Sequence, residues 1–262
     1  MPKFAANLTM LFTELPFLER FEAAAHSGFR AVEYMFPYAE DVDGIAKALT
    51  ELRLTQVLFN LPAGDWAAGD RGIAVDPGRR EEFRSGVSRA VDLARRFRCT
   101  RLNCLVGKRS EAIPPSEQRR CLADNLRYAA AELAGHGITL LVEPVNTYDI
   151  PGFFLTTSTE TIRVLDEIDA PNARLQYDVY HMQRMEGNLT QTMTQLAGRI
   201  GHVQVADAPD RHEPGTGEIN FPFVLGRLDV SGYAGYVGLE YRPFNKTDAS
   251  FGWIETMGWK RS

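Results

Sequence analysis

The sequence predicts a (β/α)8 barrel of the TIM type, a single α/β unit. Three observations carry that expectation. Eight short β-type runs alternate with longer amphipathic runs along the whole chain, and such alternation implies parallel strands joined by helical crossovers. The 262 residues match the ~250 that one such barrel needs. No composition shift, low-complexity stretch or linker interrupts the pattern, so residues 1–262 are expected to form one domain.

The strands are expected to begin near Phe4, Arg30, Thr55, Thr100, Ile138, Ala173, Ile200 and Tyr236. The first helix reads from Pro16 to His26, with proline at an early helical position and Gly28 as the stop. Val42–Leu52 is the second. Pro77–Phe97 is the third, with Val87, Val91 and Ala94 at helical spacing. Ser116–Ala134 follows, with Leu122, Leu126 and Ala129 on one face. Ser158–Ile168 is the fifth; its Ser158-x-x-Thr161 start lacks the acidic member of a capping box. Shorter helices are expected after Gly187, Phe221 and Thr247. Two connections are long, Leu61–Asp76 and Gly107–Pro115, and both follow strand ends, where barrels carry working loops. The first places Trp66 among Gly64, Gly69 and Gly72, and reads equally as a lid or as an ordered surface loop.

Composition narrows the function classes. With 44% apolar and 24% charged residues the chain is an ordinary globular one. A net charge of −5 argues against a nucleic-acid partner, which calls for a basic face, and suits action on a small molecule. The three cysteines, Cys99, Cys104 and Cys121, show no metal-type pairing and no disulfide framework, so a cytoplasmic, reducing location is expected. Cys104 sits in an apolar run and reads as a buried structural thiol. No apolar stretch is long enough for a membrane span. Asn7, Thr9 and Glu14 interrupt the N-terminal apolar stretch, so no signal peptide is expected. Trp253 and Trp259 would either cover the barrel or form a subunit contact, which leaves a homo-oligomer open.

The chemistry is written at four strand ends. Side chains alternate faces along a strand. In each of the last four strands one face is apolar, and the opposite face ends in a polar residue: Glu143, Asp178, Gln204 and Glu240, at spacings of 35, 26 and 36 residues. In a closed barrel that face points inward, so the four converge at the C-terminal mouth. Any one of them alone would read as a strand end or a helix cap. Together, three carboxylates and an amide oxygen would repel one another without a cation, and an all-oxygen set suits Mg²⁺ or Mn²⁺. His181, three residues past Asp178, belongs at the mouth and is expected to hydrogen-bond substrate rather than to ligate metal. His202 lies deeper and reads as a satisfied core histidine; His26 and His136 end helices. Lys108 and Arg211 follow strand ends and are candidates to meet an anionic substrate group. A metal beside two glutamates can move a proton on a carbon next to a carbonyl, with Glu143 and Glu240 as acid and base.

The stretches Phe4–Leu8, Phe36-Pro37-Tyr38, Leu61–Trp66, Asn103–Lys108, Glu143-Pro144-Val145-Asn146, Gln176–Gln183 and Arg211–Gly215 are spread over nearly the whole chain. In them the sequence resembles the hydroxypyruvate isomerases, within the wider group of xylose-isomerase-like barrels. The resemblance implies a (β/α)8 barrel and one divalent metal at Glu143, Asp178, Gln204 and Glu240. It also implies the two glutamates as proton donor and acceptor, and conversion of hydroxypyruvate to tartronate semialdehyde. Sugar epimerases of the wider group commonly carry histidine where Gln204 stands, a departure that fits the isomerase branch. The alternatives are a 2-oxo-tetronate isomerase or ketose epimerase of the same group, selected by the Trp66 loop and Gly152-Phe153-Phe154. More distant alternatives are an apurinic-site nuclease barrel, disfavoured by only five histidines and the acidic balance, and a non-catalytic binding barrel.

Overall fold

The computed structural model describes residues 1–261. Its strands are β1 (Lys3–Asn7), β2 (Ala31–Glu33), β3 (Thr55–Asn60), β4 (Arg101–Cys104), β5 (Thr139–Val142), β6 (Ala173–Asp178), β7 (Ile200–Val205) and β8 (Tyr236–Leu239). They pair in sequence order, all parallel, and β1 closes on β8 through Lys3↔Tyr236 to Ala6↔Leu239. Between them lie α1 (Glu19–His26), α2 (Val42–Glu51), α3 (Arg80–Phe97), α4 (Pro115–Ala134), α5 (Ser158–Ile168), α6 (Val179–Met185), α7 (Leu189–Gln195), α8 (Phe221–Val230) and α9 (Gly252–Thr256).

α2 and α5 start where expected, at Val42 and Ser158, and where the other helices or caps differ the reasons are local. α1 begins at Glu19 rather than Pro16, because the Pro16 and Phe17 carbonyls accept from the Glu19 and Arg20 amides in tight turns. α3 is entered through a 3₁₀ turn at Pro77–Arg79, with the Asp76 carboxylate accepting from the Gly78 amide. α5 is capped one residue earlier than expected. Thr157 accepts from the Glu160 amide, and the Glu160 carboxylate accepts from the Thr156 amide, so the acidic member of the cap is present after all. α6 was not foreseen as a helix; it starts directly at the end of β6, with Asp178 as its N-cap.

The outward strand faces and the inner helix faces form one apolar shell that includes Phe4, Phe59, Leu102, Leu140, Leu175 and Val203. α3 contributes Phe83, Val87, Ala90, Val91, Ala94 and Phe97, all buried, and each full-sized apolar side chain among them stabilises by roughly 1.5–3 kcal/mol. Inside the barrel, Ala5, Ala31, Leu58 and Leu141 form a small apolar floor. Trp253 and Trp259 pack edge-on against Phe4 at 5.4 and 6.3 Å, so they cover the barrel's side at β1.

The Leu61–Asp76 connection is braced. Asp70 accepts from the Asp65 amide at 2.7 Å and pairs with Arg79 at 2.6 Å. Gly72 has φ +114°, and a Cβ there would lie 2.0 Å from the Leu105 carbonyl oxygen, so only glycine lets this loop seat against the chain after β4. All three cysteines are free and buried. Among the described residues no helix is long and apolar enough to cross a membrane.

Candidate active site

Every strand sends a buried polar residue toward the barrel mouth: Asn7, Glu33, Asn60 and Asn103 from β1 to β4, then Glu143, Asp178, Gln204 and Glu240 from β5 to β8. Above this ring opens a cavity of about 530 Å³, walled in part by Trp66, Arg71, Tyr180, Arg211 and Arg242.

Asp178 divides its two oxygens. Oδ1 accepts from the Tyr180 amide at 2.8 Å and caps α6. Oδ2 is buried with no hydrogen-bond partner. It lies 3.6 Å from both His181 Nε2 and Arg211 Nη2. Glu143 Oε2 accepts from Asn103 at 2.8 Å, while Oε1 lies 3.9 Å from His181 Nε2. Glu240 Oε1 takes a 2.9 Å hydrogen bond from Arg211 Nη2. The guanidinium therefore joins Glu240 to Asp178, and His181 joins Asp178 to Glu143.

Burial, reinforced by the Asp178 charge, pushes the Glu143 carboxyl up to about 8. Burial likewise raises Asp178, partly offset by Arg211, and raises Glu240 well above the carboxylate range. Burial works against the Arg211 charge, yet Glu240, Asp178, Asp149 and Glu143 together raise its pKa. Burial also lowers His181 strongly, so the ring is neutral. Its tautomer follows from Asn146. The Asn146 carbonyl oxygen accepts from the Tyr148 and Asp149 amides, which leaves its Nδ2 to donate to His181 Nδ1 at 2.6 Å. With Nδ1 accepting, the proton sits on Nε2, and His181 presents an N–H to the cavity.

Gln204 is oriented from below. Its Nε2 donates to Glu33 Oε1 at 2.8 Å, and its Oε1 accepts from Gln176 at 2.6 Å. Glu33 also accepts from Asn7 at 3.0 Å and meets His202 Nε2 at 2.7 Å, so His202 is paired in the core through Nε2 while its buried Nδ1 has no partner among the described residues. Gly238 makes room for this carboxylate: a Cβ there would lie 2.3 Å from Glu33 Oε1.

The residues fit a divalent cation. Glu143, Asp178 and His181 offer ligand atoms within 4.8 Å of one another, and Asp178 Oδ2 is a buried carboxylate oxygen without a partner. Histidine was expected to serve substrate, and the Nε2–H tautomer leaves oxygen donors as the natural set for a hard ion.

Arg211 is held at a positive φ of 61° on the β7–α8 loop. The loop is gathered around Asp207, whose carboxylate accepts from the Ala208, Gly215, Gly217 and Ile219 amides. Lys108, expected to meet an anionic group, is not brought to the cavity. Its backbone bridges to Phe153, and its exposed side chain borders a separate cleft beside Asp70, Asp76 and Arg79. Phe153 and Phe154, expected as selectors, are buried away from the cavity, whereas Trp66 lines it. Cys104 is buried and its thiol is raised to about 12, which leaves it inert.

Asn103, Asn146, Gln176, Glu33 and Arg71 were missed as site residues. The first, third and fourth follow from the same strand parity, applied to every strand and one step deeper.

The sequence model described as xylose isomerase-like TIM barrel matches residues 21–261. The chain is 51% identical to the hydroxypyruvate isomerase of Escherichia coli strain K12 over 97% of this chain and 99% of that one. It is 43% identical to the 2-oxo-tetronate isomerase of Pectobacterium atrosepticum over 97% of each chain. Among solved structures, an AP endonuclease family 2 protein from Brucella melitensis superposes with a TM-score of 0.95 at 46% identity, covering 98% of this chain and 99% of that one. A 3-keto-D-glucoside 4-epimerase from E. coli gives 0.81 at 21% identity, a likeness of fold alone.

Proposed function

The chain belongs to the xylose isomerase-like TIM barrel family and is an isomerase of its hydroxypyruvate isomerase branch, and from that premise we propose that it interconverts hydroxypyruvate and tartronate semialdehyde (2-hydroxy-3-oxopropanoate) by proton transfer through an enediolate. The observation that carries this reading is the pair of buried glutamates, Glu143 and Glu240, at the mouth of one cavity with Asp178 and Arg211 between them.

One glutamate takes a proton from C3, breaking the C–H bond. The electron pair forms the C2–C3 double bond of a cis-enediolate. The other glutamate returns a proton to C2 while the C3 hydroxyl proton passes to the C2 oxygen, so C3 becomes the aldehyde, C2 the carbinol carbon, and the oxidation levels exchange with no net change. His181 Nε2–H donates to a substrate oxygen. Arg211 holds Glu240 in place through a 2.9 Å hydrogen bond and partly offsets the effect of burial on its carboxyl. A divalent cation, Mg²⁺ or Mn²⁺, would be held by Glu143, Asp178, Gln204 and Glu240, and when bound it would polarise the carbonyl and stabilise the developing negative charge.

Glu143, raised to about 8, suits a group that must both accept and return a proton near neutral pH, and burial shifts Glu240 in the same direction. The three buried free thiols support a reducing, cytoplasmic setting, and the substrate would place the enzyme in glyoxylate metabolism. We take residues 1–262 as one catalytic unit. A four-carbon 2-oxo-tetronate is the second reading, because a cavity of about 530 Å³ has room beyond a three-carbon acid.

The test is solvent exchange. Wild type in D₂O should introduce deuterium into hydroxypyruvate, and Glu143→Gln or Glu240→Gln should abolish this with the fold intact. Exchange that persists in Glu240→Gln removes its acid/base role.

A further inference from the structure

Three arginines line the cavity: Arg71, Arg211 and Arg242. Arg211 is committed to Glu240, Asp178 and Asp149. Arg242 is exposed and has no ion-pair partner among the described residues. Arg71 is different. It is half-buried, and its guanidinium carbon lies 4.0 Å from the Trp66 ring centroid. Its Nη1 donates to the Trp66 and Asp70 carbonyl oxygens, at 3.0 and 2.6 Å. Those bonds fix the plane of the fork and satisfy one nitrogen, and no carboxylate within the described residues pairs with it. Trp66 in turn packs on Phe36 at 5.1 Å, on a loop braced by Asp70 and Gly72. A stacked, pre-oriented guanidinium with free N–H groups is a carboxylate receptor that loses little entropy on binding.

We propose that Arg71 is the specificity residue of the site. It binds the carboxylate of the 2-oxo acid while the reacting carbons lie over Glu143 and Glu240, so that the enzyme selects anionic substrates over neutral ketoses. This rests on the isomerase reading above and names what distinguishes its substrate class. It also assigns the anion contact to the Trp66 loop instead of Lys108 or Arg211.

The experiment compares wild type, Arg71→Met and Arg71→Lys on hydroxypyruvate and on dihydroxyacetone, which carries a neutral CH₂OH in place of the carboxylate. Each protein is also titrated calorimetrically with tartronate. Arg71→Met should raise KM for hydroxypyruvate about 30-fold or more, the range of a charged hydrogen bond. It should leave kcat within about threefold, weaken tartronate equally, and leave dihydroxyacetone unchanged. Arg71→Lys, which keeps the charge and loses the fork, should fall between. An unchanged KM, or a fall in kcat alone, overturns the proposal. If wild type fails to turn over hydroxypyruvate, the isomerase reading fails, and the tartronate titration decides separately. Binding lost in Arg71→Met upholds the anion site, and binding absent from wild type or equal in the variant overturns it.

Discussion

Asp178 divides its carboxylate between the fold and the cavity. One oxygen caps α6, and the other is buried toward the cavity without a partner. Asn146 plays a comparable part for His181, because its donation to Nδ1 decides that Nε2 carries the proton facing the cavity. Asn146→Leu should lower kcat by about 10- to 100-fold with little change in KM, as loss of an orienting partner does; a wild-type kcat would remove the tautomer argument. Strand parity made Glu143, Asp178, Gln204 and Glu240 legible from sequence because each is the last inward residue at the end of its strand or one step past it. The same rule reaches Asn7, Glu33, Asn60 and Asn103 when extended to the first four strands. Asn146 and Arg71 lie in loops with no periodicity, and their partners are distant in sequence, so pattern alone could not place them.

The element that most directly shapes the site is the loop between β7 and α8. Four backbone amides converge on the Asp207 carboxylate, and this knot sets the backbone turn that aims Arg211. Asp207→Ala would leave the buried Ala208 and Ile219 amides unpaired while the exposed Gly215 and Gly217 amides turn to water, at a cost of about 1–3 kcal/mol. It should therefore lower the melting temperature, reduce kcat, and open the 207–219 segment to protease. Unchanged activity would show that Arg211 is aimed by other contacts. All eight strands were legible in the sequence because each is a short apolar run bounded by turn residues. The start of α1, the cap of α5 and the existence of α6 were not. They depend on which of two adjacent residues becomes the cap, a choice made by hydrogen bonds such as Thr157 to Glu160. Lys108 sits at the right distance past β4, but the bridge to Phe153 leads its chain to another cleft.

At the scale of the whole molecule, the barrel concentrates like charges among buried groups. Burial and Asp178 raise Glu143 from the ordinary 4.5 to about 8. Between those values the folded protein holds a proton that the unfolded chain releases, so this group's stabilisation is complete below about 4.5 and is lost as pH rises through about 8. Chelator-treated protein should melt at a lower temperature at pH 8 than at pH 5.5. Glu143→Gln should flatten that dependence, and adding a divalent cation at pH 8 should restore stability by linkage. A pH slope identical in wild type and variant would contradict the assignment. The same charge balance bears on the resemblance to the AP endonuclease family 2 structure. His202 is locked to Glu33 and the net charge is −5, so purified protein should leave abasic DNA uncut.

The central claim, a cation-dependent isomerase of a short 2-oxo acid, meets its most direct test in turnover of hydroxypyruvate by protein stripped with chelator and then reconstituted. The stripped protein should yield no tartronate semialdehyde, and adding Mg²⁺ or Mn²⁺ should bring it back. Turnover that is indifferent to the ion would contradict the metal assignment, and turnover of a tetronate but not of hydroxypyruvate would contradict the substrate.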